Sequence, residues 1–459
     1  MNINPGIFKG YDIRAIYPKD INEENIVLIV KAIYTFLVKD YGEKKPFTLV
    51  VGTDMRTSSP SLTKVVIETL EGLGANIVDV GIVSTPTFYF SVSHYGYDAG
   101  IQITASHNPK EWNGLKIVQK GEKGLIKIGK PTGLEEIKQI ALGGKFIQPK
   151  GKGTVSQTRG ILDDEFVNSL RIAGNPKIKM FKIVADAANA MGSQYINAVA
   201  RKIPMDLVRM NFKLDGTFPA HQPDPLQKET LVDLQKRVVQ EKADLGLAPD
   251  GDGDRLFFID EKGNIVPPTI ITSIVAKDLL KKNKGAQILI DIRYIFTPKK
   301  IIQENGGKMM ITRVGHAYIT EAMNKYGGIF AGESSGHYFF RETGNSESQI
   351  PMILTVLKVL SSKNKPFSKI VKDYTRSYES GEFNFKVKDG KAIIAAVKEK
   401  YKDGVLDEMD GIAVNYPTWR FSVRTSNTEP LLRLNVESYS KKETERKKSE
   451  LIRLIKRLS

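Results

Sequence analysis

Ser106 stands in the run Ile101-Gln-Ile-Thr-Ala-Ser-His-Asn-Pro109, where a short apolar strand pattern breaks into small, polar and turn-forming residues. Pro109 lacks an N–H and pushes Asn108 away from the helical region, so this corner has a constrained shape. A hydroxyl held on such a corner is placed to act as a nucleophile or to carry a covalent group. An ordinary strand-to-loop turn is the alternative, and three other loops weigh against it.

Asp250-Gly-Asp-Gly-Asp254-Arg255 sets three carboxylates at alternate positions with only glycine between them. Charges of one sign held so close repel unless a cation sits among them. Oxygen donors without Cys or His suit a hard cation, with Mg²⁺ favoured wherever phosphate is handled. A calcium EF-hand loop also begins D-x-D-x-D, but Arg255 stands where that loop needs Gly, and strand-like Leu256–Ile259 follows rather than a helix. An aspartyl nucleophile of the haloacid-dehalogenase type is the second alternative; Asp254 and Arg255 occupy the ground where its Thr or Val is expected.

Gly332-Glu-Ser-Ser-Gly-His337 offers an acceptor in Glu333 and a hydroxyl in Ser335, both suited to sugar hydroxyls. His337 adds a group for proton transfer or hydrogen-bond donation. Arg424-Thr-Ser-Asn-Thr-Glu-Pro430 gathers a guanidinium, hydroxyls, an amide and consecutive backbone N–H groups into an anion cradle. A nucleophile, a metal trio, a polyol reader and a phosphate grip together point to phosphoryl transfer on a phosphorylated sugar, with catalysis by positioning and electrostatics.

Three segments share one plan for holding these loops. Each opens on an aliphatic strand ending near an Asp, at Thr48–Asp54, Lys182–Asp186 and Gln287–Asp291. A helix and a second strand follow, then another helix and a third strand, which runs into Ser106, Asp250 or Glu333. Alternating strands and helices predict parallel or mixed sheets covered on both faces, with ligands gathering beyond the carboxyl ends of the strands. From about Pro366 the pattern changes to strands, a helix, further strands and a terminal amphipathic helix. The predicted fold class is therefore α/β: three related domains with mixed sheets plus a smaller C-terminal α+β domain, arranged around a central cleft. The expected boundaries are 1–151, 152–261, 262–366 and 367–459.

With 459 residues the chain is too long for a single core. Hydrophobic residues at 41% and charged residues at 26% describe an ordinary globular protein. No apolar run suits export or a membrane span, and the absence of Cys excludes thiol chemistry, so a cytoplasmic setting is expected. The net charge of +16 is diffuse, and the basic run Lys441–Arg457 alternates with Glu at helical spacing. That pattern predicts a solvated helix face rather than a nucleic-acid arm.

The four loops, in this order, resemble those of the α-D-phosphohexomutases, of the phosphomannomutase/phosphoglucomutase branch. The likeness covers essentially the whole chain and extends to Phe8-Lys-Gly-Tyr-Asp-Ile-Arg14, Gly52-Thr-Asp-Met-Arg56 and Gly315-His316. The resemblance implies that Ser106 is a phosphoserine in the resting enzyme and that Mg²⁺ is held by Asp250, Asp252, Asp254 and a phosphoserine oxygen. It places Tyr11, Arg14, His107, Lys116 and Arg255 around the transferring group. It assigns Glu333 and Ser335 to the sugar's 3- and 4-hydroxyls, and Arg424, Ser426, Asn427 and Thr428 to the phosphate that is not reacting. Arg293 and His316 become further substrate contacts, and Lys116 and His337 are both open as the acid/base group. The implied reaction interconverts the 1- and 6-phosphates of mannose or glucose through a hexose 1,6-bisphosphate, in a monomer or homodimer. Phosphoglucosamine mutase is the near alternative and a metal-dependent aspartyl phosphatase the distant one. The sequence departs from the family at Arg341–Ile350, which replaces an Asp-rich stretch, and at Ala15, where Gly is usual.

Overall fold

The computed structural model describes residues 3–39, 41, 47–149, 151–425 and 431–459. Its first three sheets repeat one arrangement. In the first, the strands Asn76–Ile82, Thr48–Thr53 and Ala99–Ile103 lie parallel in that spatial order, and Trp112–Lys120 pairs antiparallel with the last. The second sheet repeats this with Met205–Met210, Phe181–Asp186, Leu245–Pro249 and Leu256–Asp260. The third does so with Lys308–Thr312, Gln287–Asp291, Phe330–Gly332 and Tyr338–Phe340. The expected mixed sheets are thus present. In each, the chemistry-bearing loop is the hairpin joining the third parallel strand to its antiparallel neighbour.

The third strands are buried along their full length, which fits their continuous apolar or small-residue sequence rather than a two-residue alternation. Helices begin where the sequence carries start signals. Ser84 caps Thr85–His94 by accepting from the Thr87 N–H, with Pro86 in the first turn, and Pro60 opens Ser59–Gly72. Val155–Gln157 lies beyond the expected first boundary yet pairs parallel with Asn76–Ile82 at the edge of the first sheet. Its residues are all exposed, so no burial alternation marked it as a strand.

The cores show how the pieces attach. The second and third sheets share one continuous apolar cluster, which takes in Ile183 and Leu247 of the second, Ile288 and Phe330 of the third, and Ile353 and Leu357 of the helix Ile350–Lys363. The C-terminal sheet is antiparallel and six-stranded, with its own core around Phe421, Leu434 and Leu451. The terminal helix Lys441–Leu458, capped by Ser440, buries Leu451, Leu454 and Ile455 and leaves its charged face to solvent. Between the third sheet and this last domain the buried apolar cluster is small, Ile292 and Val314 against Ala413, with the Phe296 and Tyr439 rings stacked 4.6 Å apart beside it. Polar groups carry the rest of that seam. Glu437 accepts from the Ile295 and Phe296 N–H groups at 2.6 and 3.1 Å, at the start of the helix Phe296–Glu304, and from Arg420 at 3.2 Å. A carboxylate at a helix N-terminus is favoured by the unpaired N–H groups and the helix dipole. No helix among the described residues is long and apolar enough to cross a membrane.

Candidate active site

The serine hairpin holds Ser106 at φ +54°, a left-handed conformation that costs a residue with a side chain roughly 1–2 kcal/mol. Its surroundings fix that shape. The Ser106 N–H donates to Thr104 Oγ1 at 3.0 Å, and Arg56 donates to the Ser106 carbonyl at 2.9 Å. Gly251 of the aspartate loop packs directly on this corner: a Cβ there would lie 2.2 Å from the Ser106 carbonyl oxygen. The result is a buried hydroxyl, 2% exposed, that donates to Asp250 Oδ2 at 3.3 Å and lies 3.0 Å from His107 Nδ1. Serine and aspartate loops, remote in sequence, meet in one place.

Asp250, Asp252 and Asp254 are all buried, and each offers a carboxylate oxygen within 4.8 Å of the others. Burial and the two neighbouring carboxylates push Asp250 well above the usual carboxylate range. Asp254 moves the other way: burial opposes its charge, but Lys116 and then His337 hold it well below. Lys116 Nζ lies 2.5 Å from Asp252 and 2.6 Å from Asp254. Asp252 also accepts from Thr85 Oγ1 at 2.6 Å, while its Oδ1 is buried with no hydrogen-bond partner. Three oxygen donors, one of them with an unsatisfied buried atom, fit a hard cation.

Cations surround the serine. Arg14 is fixed by Asp12 and donates to Asn108 Oδ1 at 2.6 Å, and Arg255 lies 3.8 Å from Asp250 and 3.5 Å from Asp224. Burial, then Arg255 and Arg14, lower the His107 pKa well below its ordinary value, so the ring is neutral and its Nδ1 can accept the serine proton. Burial opposes the charge on Lys116 as well, but Asp252 and Asp254 outweigh it and raise its pKa well above normal.

The third loop faces the same place. His337 Nε2 lies 3.2 Å from Asp254, and its Nδ1 lies 2.8 Å from Glu333 and 2.9 Å from Ser335 Oγ. Burial works against a charged His337, yet Asp254 and Glu333 raise its pKa to about 9. Arg293 reaches Glu333 and Ser335 at 3.3 Å and is anchored by Asp291 at 2.9 Å. His316 is buried, with neither ring nitrogen hydrogen-bonded, and packs 5.3 Å from the Tyr11 ring. Tyr11 in turn donates to the Val314 carbonyl at 2.8 Å, tying the first domain to the third.

In the last domain Arg424 is 1% exposed and donates to Glu382 at 3.1 Å; the same carboxylate lies 3.8 Å from Arg293. A continuous run of polar contacts therefore leads from Ser106 through Asp250, the aspartate trio, His337, Glu333 and Arg293 to Arg424. All four domains contribute. The other expected members of the phosphate grip, Ser426, Asn427 and Thr428, lie outside the described residues.

Several residues that shape this site carried no assignment from sequence. Arg56 supports the serine corner, Thr85 holds Asp252, and Gln349 donates to the Asp254 carbonyl at 2.6 Å. Gln349 belongs to the stretch 341–350 that departs from the family pattern. That stretch forms a joint: Glu347 pairs with buried Lys127 of the first domain, and Ser348 donates to Glu165 of the second at 3.2 Å. Its local signal was weak because every partner is remote in sequence.

Comparison with known proteins matches most of the chain to one family in four consecutive parts. Residues 5–145, 164–263 and 267–378 match the phosphoglucomutase/phosphomannomutase alpha/beta/alpha domains I, II and III, and residues 382–454 match its C-terminal domain. A phosphomannomutase of Vibrio cholerae is 35% identical over 98% of both chains, and one of Methanocaldococcus jannaschii is 36% identical over 98% of both. A crystal structure of a phosphoglucomutase/phosphomannomutase family protein from Burkholderia thailandensis superposes with a TM-score of 0.88 at 29% identity, covering 99% of this chain and 98% of that one.

Proposed function

This chain belongs to the phosphoglucomutase/phosphomannomutase family and is a phosphohexomutase, and we propose that it interconverts the 1- and 6-phosphates of mannose and glucose by passing a phosphoryl group on and off Ser106. The observation that carries this reading is the Ser106 hydroxyl, buried 3.3 Å from Asp250 on a corner shaped by the aspartate loop itself.

In the first half-reaction the bond between phosphorus and Ser106 Oγ breaks as a bond to a free sugar hydroxyl forms, giving a hexose 1,6-bisphosphate. The return step transfers the other phosphate to Ser106. Neutral His107, 3.0 Å from Oγ, takes the serine proton as that oxygen becomes the nucleophile. Over the first half-reaction the proton of the attacking sugar hydroxyl passes to the departing Ser106 Oγ, and in the return step Lys116 or His337, both held in the charged form, gives a proton to the sugar oxygen that leaves. Arg14 and Arg255 stabilise charge on the oxygens of the transferring group. Asp250, Asp252 and Asp254, with the phosphorylated Ser106, would hold Mg²⁺, which would supply further positive charge for phosphoryl transfer. Glu333, Ser335 and His316 read the sugar, while Arg293 and Arg424, with Ser426, Asn427 and Thr428, take the remote phosphate. The small apolar seam to the last domain supports a hinge there, which would let the bisphosphate turn around without escaping.

Side-by-side turnover of mannose 1-phosphate, glucose 1-phosphate and glucosamine 1-phosphate tests the substrate assignment. The expected result is turnover of the first two, abolished in Ser106→Ala. A strong preference for the glucosamine phosphate would overturn it.

A further inference from the structure

Arg56 makes more of its guanidinium than any other described residue near the site. It is 1% exposed and lies on the turn after the strand Thr48–Thr53, which pairs with the strand Ala99–Ile103 that runs into the serine hairpin. Nε donates to Asp54 at 3.2 Å. Nη1 donates to the Pro109 and Trp112 carbonyls at 2.7 and 2.9 Å, and Nη2 to the Ser106 and Asn108 carbonyls at 2.9 and 2.7 Å. A guanidinium has five N–H donors in one plane, and here all five are used. Four of them fall on backbone oxygens of a single loop, residues 106–112, and one of these is the carbonyl of the left-handed residue itself.

Such a loop has a specific problem. The Ser106 carbonyl is buried and those of Asn108, Pro109 and Trp112 are partly so, and a buried carbonyl without a partner is unfavourable by about 1–3 kcal/mol. No helix or sheet takes them up, because the strand Ala99–Ile103 has ended and Trp112–Lys120 is only beginning; within the loop only the Pro109 carbonyl among these four accepts a backbone bond, from the Trp112 N–H at 3.0 Å. Arg56 satisfies them and in doing so sets their directions. The guanidinium is itself held from two sides. Asp54 accepts from both the Arg56 N–H and Nε and is fixed by Ser59 Oγ at 2.6 Å, and the Phe218 ring of the second domain stacks 5.1 Å from the guanidinium carbon. The close approach of Gly216 to the Arg56 backbone brings that second-domain loop into the same assembly.

We propose that Arg56 is the positioning residue of the phosphoryl-carrying loop, its planar set of donors holding the Ser106 corner in the left-handed conformation that aims Oγ at the aspartate trio. The inference rests on the reading of Ser106 as the phosphoryl carrier. Lys has only three donors at one point and cannot span four carbonyls, so charge alone does not replace the arginine. Misplacing a nucleophile by about 1 Å can slow its reaction about 100-fold. Binding of the sugar and of the remote phosphate uses Glu333, Ser335 and Arg424, none of which touches Arg56, so the loss falls on the transfer step and not on substrate affinity.

The test follows phosphate incorporation from glucose 1,6-bisphosphate by intact mass, alongside steady-state kinetics, in wild type, Arg56→Lys and Arg56→Ala. The expected result for Arg56→Lys is phosphorylation of Ser106 slowed about 100-fold, kcat lowered to match, and KM for glucose 1-phosphate unchanged. Arg56→Ala is expected to recover part of the rate when guanidinium ion is added well below denaturing concentration. Should Arg56→Ala not fold, the kinetic split of Arg56→Lys decides alone. Wild-type phosphorylation rates in Arg56→Lys, or a loss confined to KM, would overturn the positioning role. Failure of wild type itself to accept phosphate at Ser106 would instead overturn the functional reading beneath it.

Discussion

Glu165 gives a prediction whose size can be worked from the structure. It lies on the helix Ile161–Ala173 of the second domain, 1% exposed, and its two carboxylate oxygens accept from Thr87 of the first domain at 2.7 Å and Ser348 of the third at 3.2 Å. Its neighbours are hydroxyls, not cations. Burial therefore dominates and raises its pKa from 4.5 to about 7, against a smaller opposing effect of the two hydroxyls. The folded protein thus holds this proton across a range in which the unfolded chain has lost it. The stability Glu165 supports is complete below about pH 4.5 and is lost as pH rises through about 7. Integrating the proton difference between pH 5 and pH 8 gives roughly 2–3 kcal/mol. Glu165→Gln keeps the shape and cannot ionise, so wild type should lose about that much relative to the variant over this interval. Urea unfolding of both proteins at pH 5, 6, 7 and 8 measures it. Taking the difference removes every other titrating group, including Glu379, which burial raises to about 8 and which acts with the same sign. A flat difference between pH 5 and 8, or wild type gaining on the variant as pH rises, would refute the reasoning.

Further predictions concern the active loops and the last domain. Gly251→Ala would set a Cβ 2.2 Å from the Ser106 carbonyl oxygen, so the two loops must separate; activity should fall about 100-fold or more while circular dichroism shows a folded chain. Removing divalent metal with a chelator should abolish turnover and Mg²⁺ should restore it, with Asp252→Asn needing more Mg²⁺ for half-maximal rate; turnover unaffected by chelation would contradict the ligand assignment. Glu437→Ala removes the acceptor of two helix N–H groups and leaves Arg420 without its buried partner, a change of about 3–5 kcal/mol at the seam. Small-angle scattering should then show a larger radius of gyration, and an unchanged radius would show that the seam does not depend on this carboxylate.

What could be read from the sequence was local. The third strands announce themselves as short apolar runs ending at Ser106, Asp250 and Glu333, and each does end at its loop. The chemistry of those loops was legible because the residue types stand side by side. Arg56 stands in the Gly52–Arg56 stretch that carries the family likeness, but nothing local gives its role, because its partners are backbone carbonyls some fifty residues away; Glu347 likewise has its partner Lys127 220 residues distant. The stretch 341–350 illustrates the limit. As sequence it is a departure from the family pattern; in the structure its Glu347, Ser348 and Gln349 join three domains behind the aspartate loop. Val155–Gln157 was missed as a strand for a related reason, since an exposed edge strand has no buried face to give it a pattern.

The central claim is that Ser106, and no aspartate, carries the phosphoryl group. Incubation with labelled glucose 1,6-bisphosphate, followed by peptide mapping of the modified chain, tests it most directly. One stoichiometric phosphate on the peptide holding Ser106, stable to acid and missing in Ser106→Ala, is the predicted result. An acid-labile phosphate on Asp250 or Asp252, with Ser106→Ala still active, would contradict it.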